Sequence, residues 1–136
     1  MFCEDLKAKT IWLYGDLRWM KLIRAFFSDA TLSMILYRAM SWCDKYYFTK
    51  FFAFVFCKIN AVLYGAVIGK SARFGSGFVI LHSVGIVINS QVCGGRNIYV
   101  ESGVVIGETK RGCPVLGSDI FIGSGSKNCW SYNNWK

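Results

Sequence analysis

Apolar residues recur every sixth position through the C-terminal half of the chain, at Ile68, Phe74, Ile80, Ile86, Val92, Ile98 and Val104, and the register resumes at Leu116 and Ile122. Glycine follows the apolar position at Gly69, Gly75, Gly117 and Gly123, which suits corners where a side chain or a negative φ would be costly. A six-residue period predicts a parallel β-helix, in which each hexad is one short flat strand and three hexads complete a coil. One coil cannot bury its apolar face alone. Stacked coils can, so the predicted architecture is quasi-one-dimensional. An ordinary sandwich with accidental glycines does not account for seven consecutive positions in strict register.

Upstream of Gly65 the pattern turns helical. Asp16 to Phe27 sets Leu17, Met20, Ile23 and Phe27 on one face and Arg18, Lys21 and Arg24 on another, the spacing of an amphipathic helix. Ser28 or Asp29 then reads as the N-cap of a second helix with Leu32, Ile35, Leu36, Ala39 and Met40 apolar, and Asp44 as the cap of a third carrying Phe48, Phe51, Phe52, Phe54 and Phe56. The third helix is apolar almost all round. A bilayer span needs about twenty apolar residues, and Lys50 and Lys58 bracket only seven, so a crossing helix is not expected. Burial against the coils or a sister subunit is one reading of that helix. The other is a helix lying on a membrane surface, because basic residues interleave with Trp and Phe. The expected organisation is a helical segment over 1–66, a hexapeptide-repeat β-helix over 67–126, and an irregular tail over 127–136, where the hexads stop.

Composition narrows the partners. At 136 residues the chain is one compact unit or a repeat domain with an appendage, and its net charge of +8 attracts anions. That charge is dispersed and no nucleic-acid reading motif is present, so nucleic acid is not an expected partner. The six cysteines include no C-x-x-C pair and there is a single histidine, so no metal is expected; reduced, mostly buried thiols in a cytoplasmic protein are. Glu4, Asp5, Lys7 and Lys9 interrupt the N-terminus before an apolar signal-peptide core could begin.

The single histidine, His82, lies inside Val79-Ile80-Leu81-His82-Ser83-Val84-Gly85-Ile86-Val87-Ile88. With that coil in hand the sequence resembles the serine acetyltransferase family of hexapeptide-repeat, left-handed β-helix acyltransferases, and within it the colanic-acid-type exopolysaccharide O-acetyltransferases. The resemblance covers roughly residues 30–126. It is carried by Ile35-Leu36-Tyr37-Arg38-Ala39, Ile80-Leu81-His82, Gly85-Ile86-Val87-Ile88, Gly103-Val104-Val105-Ile106-Gly107, and Cys113-Pro114 before Leu116-Gly117. It implies direct acetyl transfer from acetyl-CoA to a hydroxyl, with His82 as general base. The chemistry is sound: an imidazole with an ordinary pKa near 6.5 can take the proton as the oxygen attacks the thioester carbon. Backbone N–H groups at the glycine corners are candidate oxyanion donors. The plain alternative for His82 is a structural side chain on a polar coil face.

Departures from the family matter as much. The first-coil Asp-Ile-His-Pro motif, whose carboxylate orients the catalytic imidazole, reads Val67-Ile68-Gly69-Lys70 here. The aspartate commonly preceding the catalytic histidine is Leu81, and a later Asp-Arg-His-Pro motif becomes Arg111-Gly112-Cys113-Pro114. These losses remove partners for the serine ammonium and carboxylate. A sugar hydroxyl needs neither, so the expected acceptor shifts from L-serine toward an exopolysaccharide sugar. Asp16, at nearly the family distance upstream of Tyr37-Arg38, is the candidate surviving substrate contact, with Cys113 beside it; an acyl-cysteine at Cys113 is disfavoured because the family transfers directly. Glu101 or Glu108 is a candidate replacement for the lost carboxylate.

For coenzyme A, the resemblance points to Lys110 and Arg111 as phosphate contacts, with a solvated basic loop as the plain alternative, and to Gly125 and Ser126 where the groove forms. It also implies a homotrimer with sites between subunits. Because relatives continue for further hexads, a C-terminally truncated product is expected. Three function classes stay open: an acetyl-CoA-dependent O-acetyltransferase at the cytoplasmic face of a membrane, an inactive trimeric scaffold, and a membrane-surface protein that uses its coils passively.

Overall fold

In the computed structural model, which describes residues 1–108, 112 and 114–129, four helices precede a stack of short strands. The helices are α1 (Phe2–Tyr14), α2 (Trp19–Phe26), α3 (Thr31–Cys43) and α4 (Lys50–Tyr64), the last entered through a 3₁₀ turn at Tyr47–Thr49. The strands are β1 (Ala66–Ile68), β2 (Arg73–Phe74), β3 (Phe78–Ile80), β4 (Ile86–Ile88), β5 (Cys93–Gly94), β6 (Ile98–Val100), β7 (Val105–Gly107), β8 (Val115–Leu116), β9 (Ile120–Ile122) and β10 (Lys127–Cys129). They pair in parallel into three sheets ordered β1-β4-β7-β10, β2-β5-β8 and β3-β6-β9. These are the walls of a β-helix. Every apolar position of the predicted hexads is buried, from Ile68 to Ile122. Strand β10 pairs with β7 inside the segment expected to be irregular; residues 130–136 of that tail lie outside the described residues.

The unbroken six-residue period conceals a slip. Ile80 pairs with Val100, twenty residues on, whereas Val87 pairs with Val105, eighteen on. The corner between β3 and β4 therefore holds two residues more than the one between β6 and β7. Both inward-facing positions of a strand are apolar here, with Phe78 and Ile80 buried together in β3 and Ile86 and Ile88 in β4. A shift of two residues thus leaves the apolar sequence pattern intact.

The glycines divide by role. Gly69 and Gly75 are needed for close approach, since a Cβ on Gly69 would fall 2.3 Å from the Ser90 backbone, and neither has a positive φ. The left-handed conformation belongs instead to a corner column that includes Gly85 (φ 77°) and Gly103 (φ 68°).

The helical half differs in detail from its pattern. Helix α1 forms where the apolar spacing singled out none: Glu4 and Asp5 occupy its first turn, favourable for the helix dipole, and Gly15 ends it in the left-handed conformation. Helix α2 starts only at Trp19, because the Asp16 carboxylate accepts from the Arg18 N–H and folds the preceding residues into a turn. Helix α3 is capped by Ala30 (φ 61°), not by Ser28 or Asp29, and its buried side carries Met34, Tyr37 and Met40 while Leu32 is exposed. The helix is rotated because Tyr37 plugs into the first coil, packing against the Phe74 and Phe78 rings and accepting from the Phe74 N–H.

Asp44 does not open the next helix, whose N-cap is Thr49, but ends α3 as its C-cap. It pairs with Arg73 at 2.8 Å, joining the end of α3 to β2. Burial alone would raise the Asp44 carboxyl, but Arg73 and Ser71 outweigh it and hold the pKa below the usual carboxylate value. Helix α4 buries only Ala53 and Asn60, against α3 and the first coil. Phe48, Phe51, Phe52 and Phe54 are exposed, and Tyr47–Tyr64 is long and apolar enough, by length and composition, to cross a membrane. That eighteen-residue segment includes Lys50 and Lys58. Of Cys3, Cys43, Cys57 and Cys93, Cys43 is buried, Cys57 half-buried and Cys3 and Cys93 exposed, which corrects the expectation of mostly buried thiols.

Candidate active site

His82 sits in the enlarged corner between β3 and β4, where the extra residues push it off the regular wall. Its imidazole Nδ1 lies 2.9 Å from Asp29 Oδ2, and both side chains are more than half exposed, at 62% and 59%. Asp29 belongs to the turn between α2 and α3, fifty-three residues away along the chain. Its other carboxylate oxygen accepts from the Ala30 N–H at 2.8 Å, which fixes the carboxylate plane. A carboxylate accepting from Nδ1–H selects the tautomer with the lone pair on Nε2. Nε2 makes no hydrogen bond among the described residues.

Beneath this pair lies Lys9, which is 1% exposed. Its ammonium donates to the Asp29 backbone carbonyl and to Thr31 Oγ1. Burial pushes the Lys9 pKa down to about 8, with the Asp29 charge opposing the shift. The result is a rigid floor: α1 reaches under the turn that presents Asp29 to His82.

A cleft of ≈ 280 Å³ opens over the pair. Its lining is mixed, polar from Lys9, Ser28, Asp29, His82 and Glu101 and apolar from Trp12, Leu13 and Leu81. Glu101 is thus in the cleft, accepting from Ser124 Oγ, but it is not the Nδ1 partner. Glu108 accepts from Asn89 Nδ2 instead. In sequence Asp29 reads as a helix cap, and no local signal links it to His82; only the docking of α2 and α3 on the first coil brings them together.

The other expected site residues fare differently. Asp16 lies in the turn between α1 and α2 with its carboxylate 2.7 Å from Lys21 Nζ, and it does not line the cleft. The Lys21 hydrogen bond holds its pKa below the usual carboxylate value. Lys110, Arg111 and Cys113 lie outside the described residues. Gly125 (φ 73°) continues the glycine column, its N–H donating to Ser102 O, and the Ser126 carbonyl accepts from Val105. The corner N–H groups of Gly85 and Gly103 are likewise engaged, by Gly65 O and Val84 O, so these candidate oxyanion donors are committed to the coil. Among the described residues no three His, Cys, Asp or Glu side chains gather as a metal site.

No protein-family model matches the sequence, and no curated protein sequence matches it. Solved structures do resemble it. A serine acetyltransferase from Brucella abortus strain S19, crystallised with coenzyme A, superposes with a TM-score of 0.77 at 21% identity over 93% of this chain and 51% of that one. Soybean serine acetyltransferase complexed with serine gives 0.78 at 19% identity, over 93% and 52%. The Neisseria gonorrhoeae serine acetyltransferase in complex with serine gives 0.73 at 20%, over 92% and 52%. The chain therefore spans about half the length of these structures. Its fold is theirs, a helical segment leading into a left-handed parallel β-helix of hexapeptide repeats.

Proposed function

We propose that this chain carries the general-base half of an acetyl-CoA-dependent O-acetyltransferase site. The observation that supports it best is the His82–Asp29 pair, with Nδ1 engaged and Nε2 free over a cleft. In the reaction Nε2 takes the proton of an acceptor hydroxyl as its oxygen attacks the thioester carbon of acetyl-CoA. The imidazolium so formed, stabilised by Asp29, returns the proton to the departing thiolate. Products are the acetyl ester and free coenzyme A. The structure crystallised with coenzyme A makes acetyl-CoA the natural co-substrate; Lys110 and Arg111 are the proposed phosphate contacts.

The acceptor in this reading is a sugar hydroxyl rather than L-serine. A serine acceptor needs a cation for its carboxylate, and the described lining of the cleft offers only Lys9, whose ammonium is buried and already donating to Asp29 O and Thr31 Oγ1. Glu101 adds negative charge to the same cleft, which disfavours a carboxylate ligand. Free-thiol release from acetyl-CoA, measured with L-serine and with a panel of nucleotide-linked and lipid-linked sugars, tests both statements. Sugar-dependent release that vanishes in His82→Ala is expected; no release with any acceptor refutes the transferase, and release with serine alone refutes the acceptor assignment.

A second reading concerns location. The segment from Lys45 to Tyr64 contains Lys45, Lys50 and Lys58 and no acidic residue, and it exposes Tyr47, Phe48, Phe51, Phe52, Phe54, Val62 and Leu63. A second copy of this face would set lysine against lysine. An anionic lipid surface complements it, with the rings entering the interface and Lys58, whose ammonium sits 5.4 Å from the Phe54 ring centre, extending toward headgroups. We infer a cytoplasmic trimer resting on the inner face of a membrane, with α4 in the membrane plane, because its buried side is held by α3 and β1.

A further inference from the structure

The cleft beside His82 contains an aromatic surface that the proton-transfer chemistry does not use. Trp12, on α1, lies flat across two successive rungs of one β-helix wall. Its ring centroid is 4.6 Å from that of Tyr99 on β6 and 5.1 Å from that of Phe121 on β9, at interplanar angles of 28° and 15°. Tyr99 and Phe121 are themselves paired in register. Two rungs of the wall thus fix the indole from one side, and the side chain stays 47% exposed. A buried tryptophan would be explained as core; one immobilised by stacking and left half open is a preformed surface.

The surroundings indicate what such a surface takes. Trp12 and Leu13 give the cleft apolar lining, while His82, Asp29 and Glu101 give it polar lining. Ser124 Oγ donates to Glu101 and approaches Ser102 Oγ at 3.4 Å, so hydroxyls and carboxylate continue the polar edge. A ligand that fits has one apolar face and a rim of neutral hydroxyls. A pyranose has that construction: its axial C–H bonds give a flat apolar face suited to a π-surface, and its equatorial hydroxyls donate to carboxylates. L-serine has no apolar face.

We propose that Trp12 is the platform of an acceptor subsite that seats a hexopyranose ring, with Glu101 accepting from a ring hydroxyl and a neighbouring hydroxyl directed at His82 Nε2. The inference rests on the acetyltransferase reading for its catalytic meaning, but the binding does not. Methyl α- and β-hexopyranosides of gluco, galacto and manno configuration are the probes, offered at millimolar concentrations to the full chain and followed by saturation-transfer NMR. The indole N–H resonances, one of them assigned to Trp12 by its loss in Trp12→Phe, are followed in the same titrations. At least one glycoside should receive saturation at its ring protons and shift the Trp12 resonance. Trp12→Ala should weaken that binding roughly tenfold, the scale of one lost aromatic contact, and Trp12→Phe should retain most of it. Because Trp12 is half exposed, the Ala variant should keep its circular dichroism; if it does not, the wild-type indole shifts and Trp12→Phe decide alone.

Glycoside binding that ignores Trp12, or no binding by any of the probes, overturns the subsite. Thiol release is scored separately. Trp12-dependent glycoside binding without acetyl transfer leaves the subsite standing and removes the transferase, whereas transfer to serine without glycoside binding does the reverse.

Discussion

Arg38 closes on Asp5 with two parallel hydrogen bonds, Nε to Oδ2 at 2.7 Å and Nη2 to Oδ1 at 2.9 Å, and both side chains are almost fully removed from solvent. The same Asp5 oxygen Oδ1 accepts from the N–H groups of Gly77 and Phe78, while Arg38 donates to the carbonyls of Phe74 and Gly75. Two helices are thereby locked to the corner between β2 and β3. Removing one partner strands a buried charge, which typically costs about 3–5 kcal/mol. Arg38→Met and Asp5→Leu should each lose stability on that scale in urea unfolding, and the double variant should lose less than the sum. Full additivity would mean the two act independently.

The His82–Asp29 pair should behave oppositely, because both side chains are exposed. His82→Ala should cut turnover by roughly 10²–10⁴-fold, the usual contribution of a general base, with no change in unfolding midpoint. Asp29→Asn should lower kcat with KM nearly unchanged if Asp29 acts through the imidazole; Asp29→Glu should recover part of the loss. A fall confined to KM would make Asp29 a substrate contact instead.

Lys9 gives a pH signature. Its folded pKa, about 8, is below the ordinary lysine value of 10.5, so between these values the unfolded chain binds the extra proton. Stability therefore rises with pH across that window. The size follows from about 1.4 kcal/mol per pKa unit, on the order of 3 kcal/mol in all. Urea titrations at pH 7.5 and pH 10 should show wild type gaining stability relative to Lys9→Met as the pH rises; an unchanged offset between the two proteins would contradict the burial of the ammonium.

Two glycines of the same φ should respond unequally. Gly85 (φ 77°) would place a Cβ 3.3 Å from Gly103 Cα, whereas Gly15 (φ 76°) has nothing within 4 Å. Gly15→Ala should cost only the left-handed backbone penalty, about 1–2 kcal/mol, and Gly85→Ala more, read as a difference in unfolding midpoint.

For the lipid-facing helix, co-sedimentation of the full chain with vesicles containing phosphatidylserine should be strong at low salt and weak at high salt, as screening demands. Phe48→Ser with Phe51→Ser should reduce it at any salt, and Lys50→Glu with Lys58→Glu should abolish its salt dependence. Binding that is indifferent to all four changes would place the contact elsewhere.

The hexad pattern from Ile68 to Ile122 determined the β-helix, because a buried strand repeated at a fixed interval writes its period into the apolar residues whatever the rest of the chain does. The same pattern picked out His82, the one titratable imidazole in the coils. It could not show the two-residue enlargement of the His82 corner, since both inward positions of each strand are apolar and a slip by two leaves the sequence unchanged in kind. Asp29 reads as a cap in the sequence because capping is a local signal. Its pairing with His82 is decided by helices docking on a coil, and so is Trp12, an ordinary helical tryptophan until Tyr99 and Phe121 stack beneath it. Period and burial are properties of neighbours in sequence; a site assembled from α1, the turn before α3 and a coil corner exists only in the packed tertiary structure.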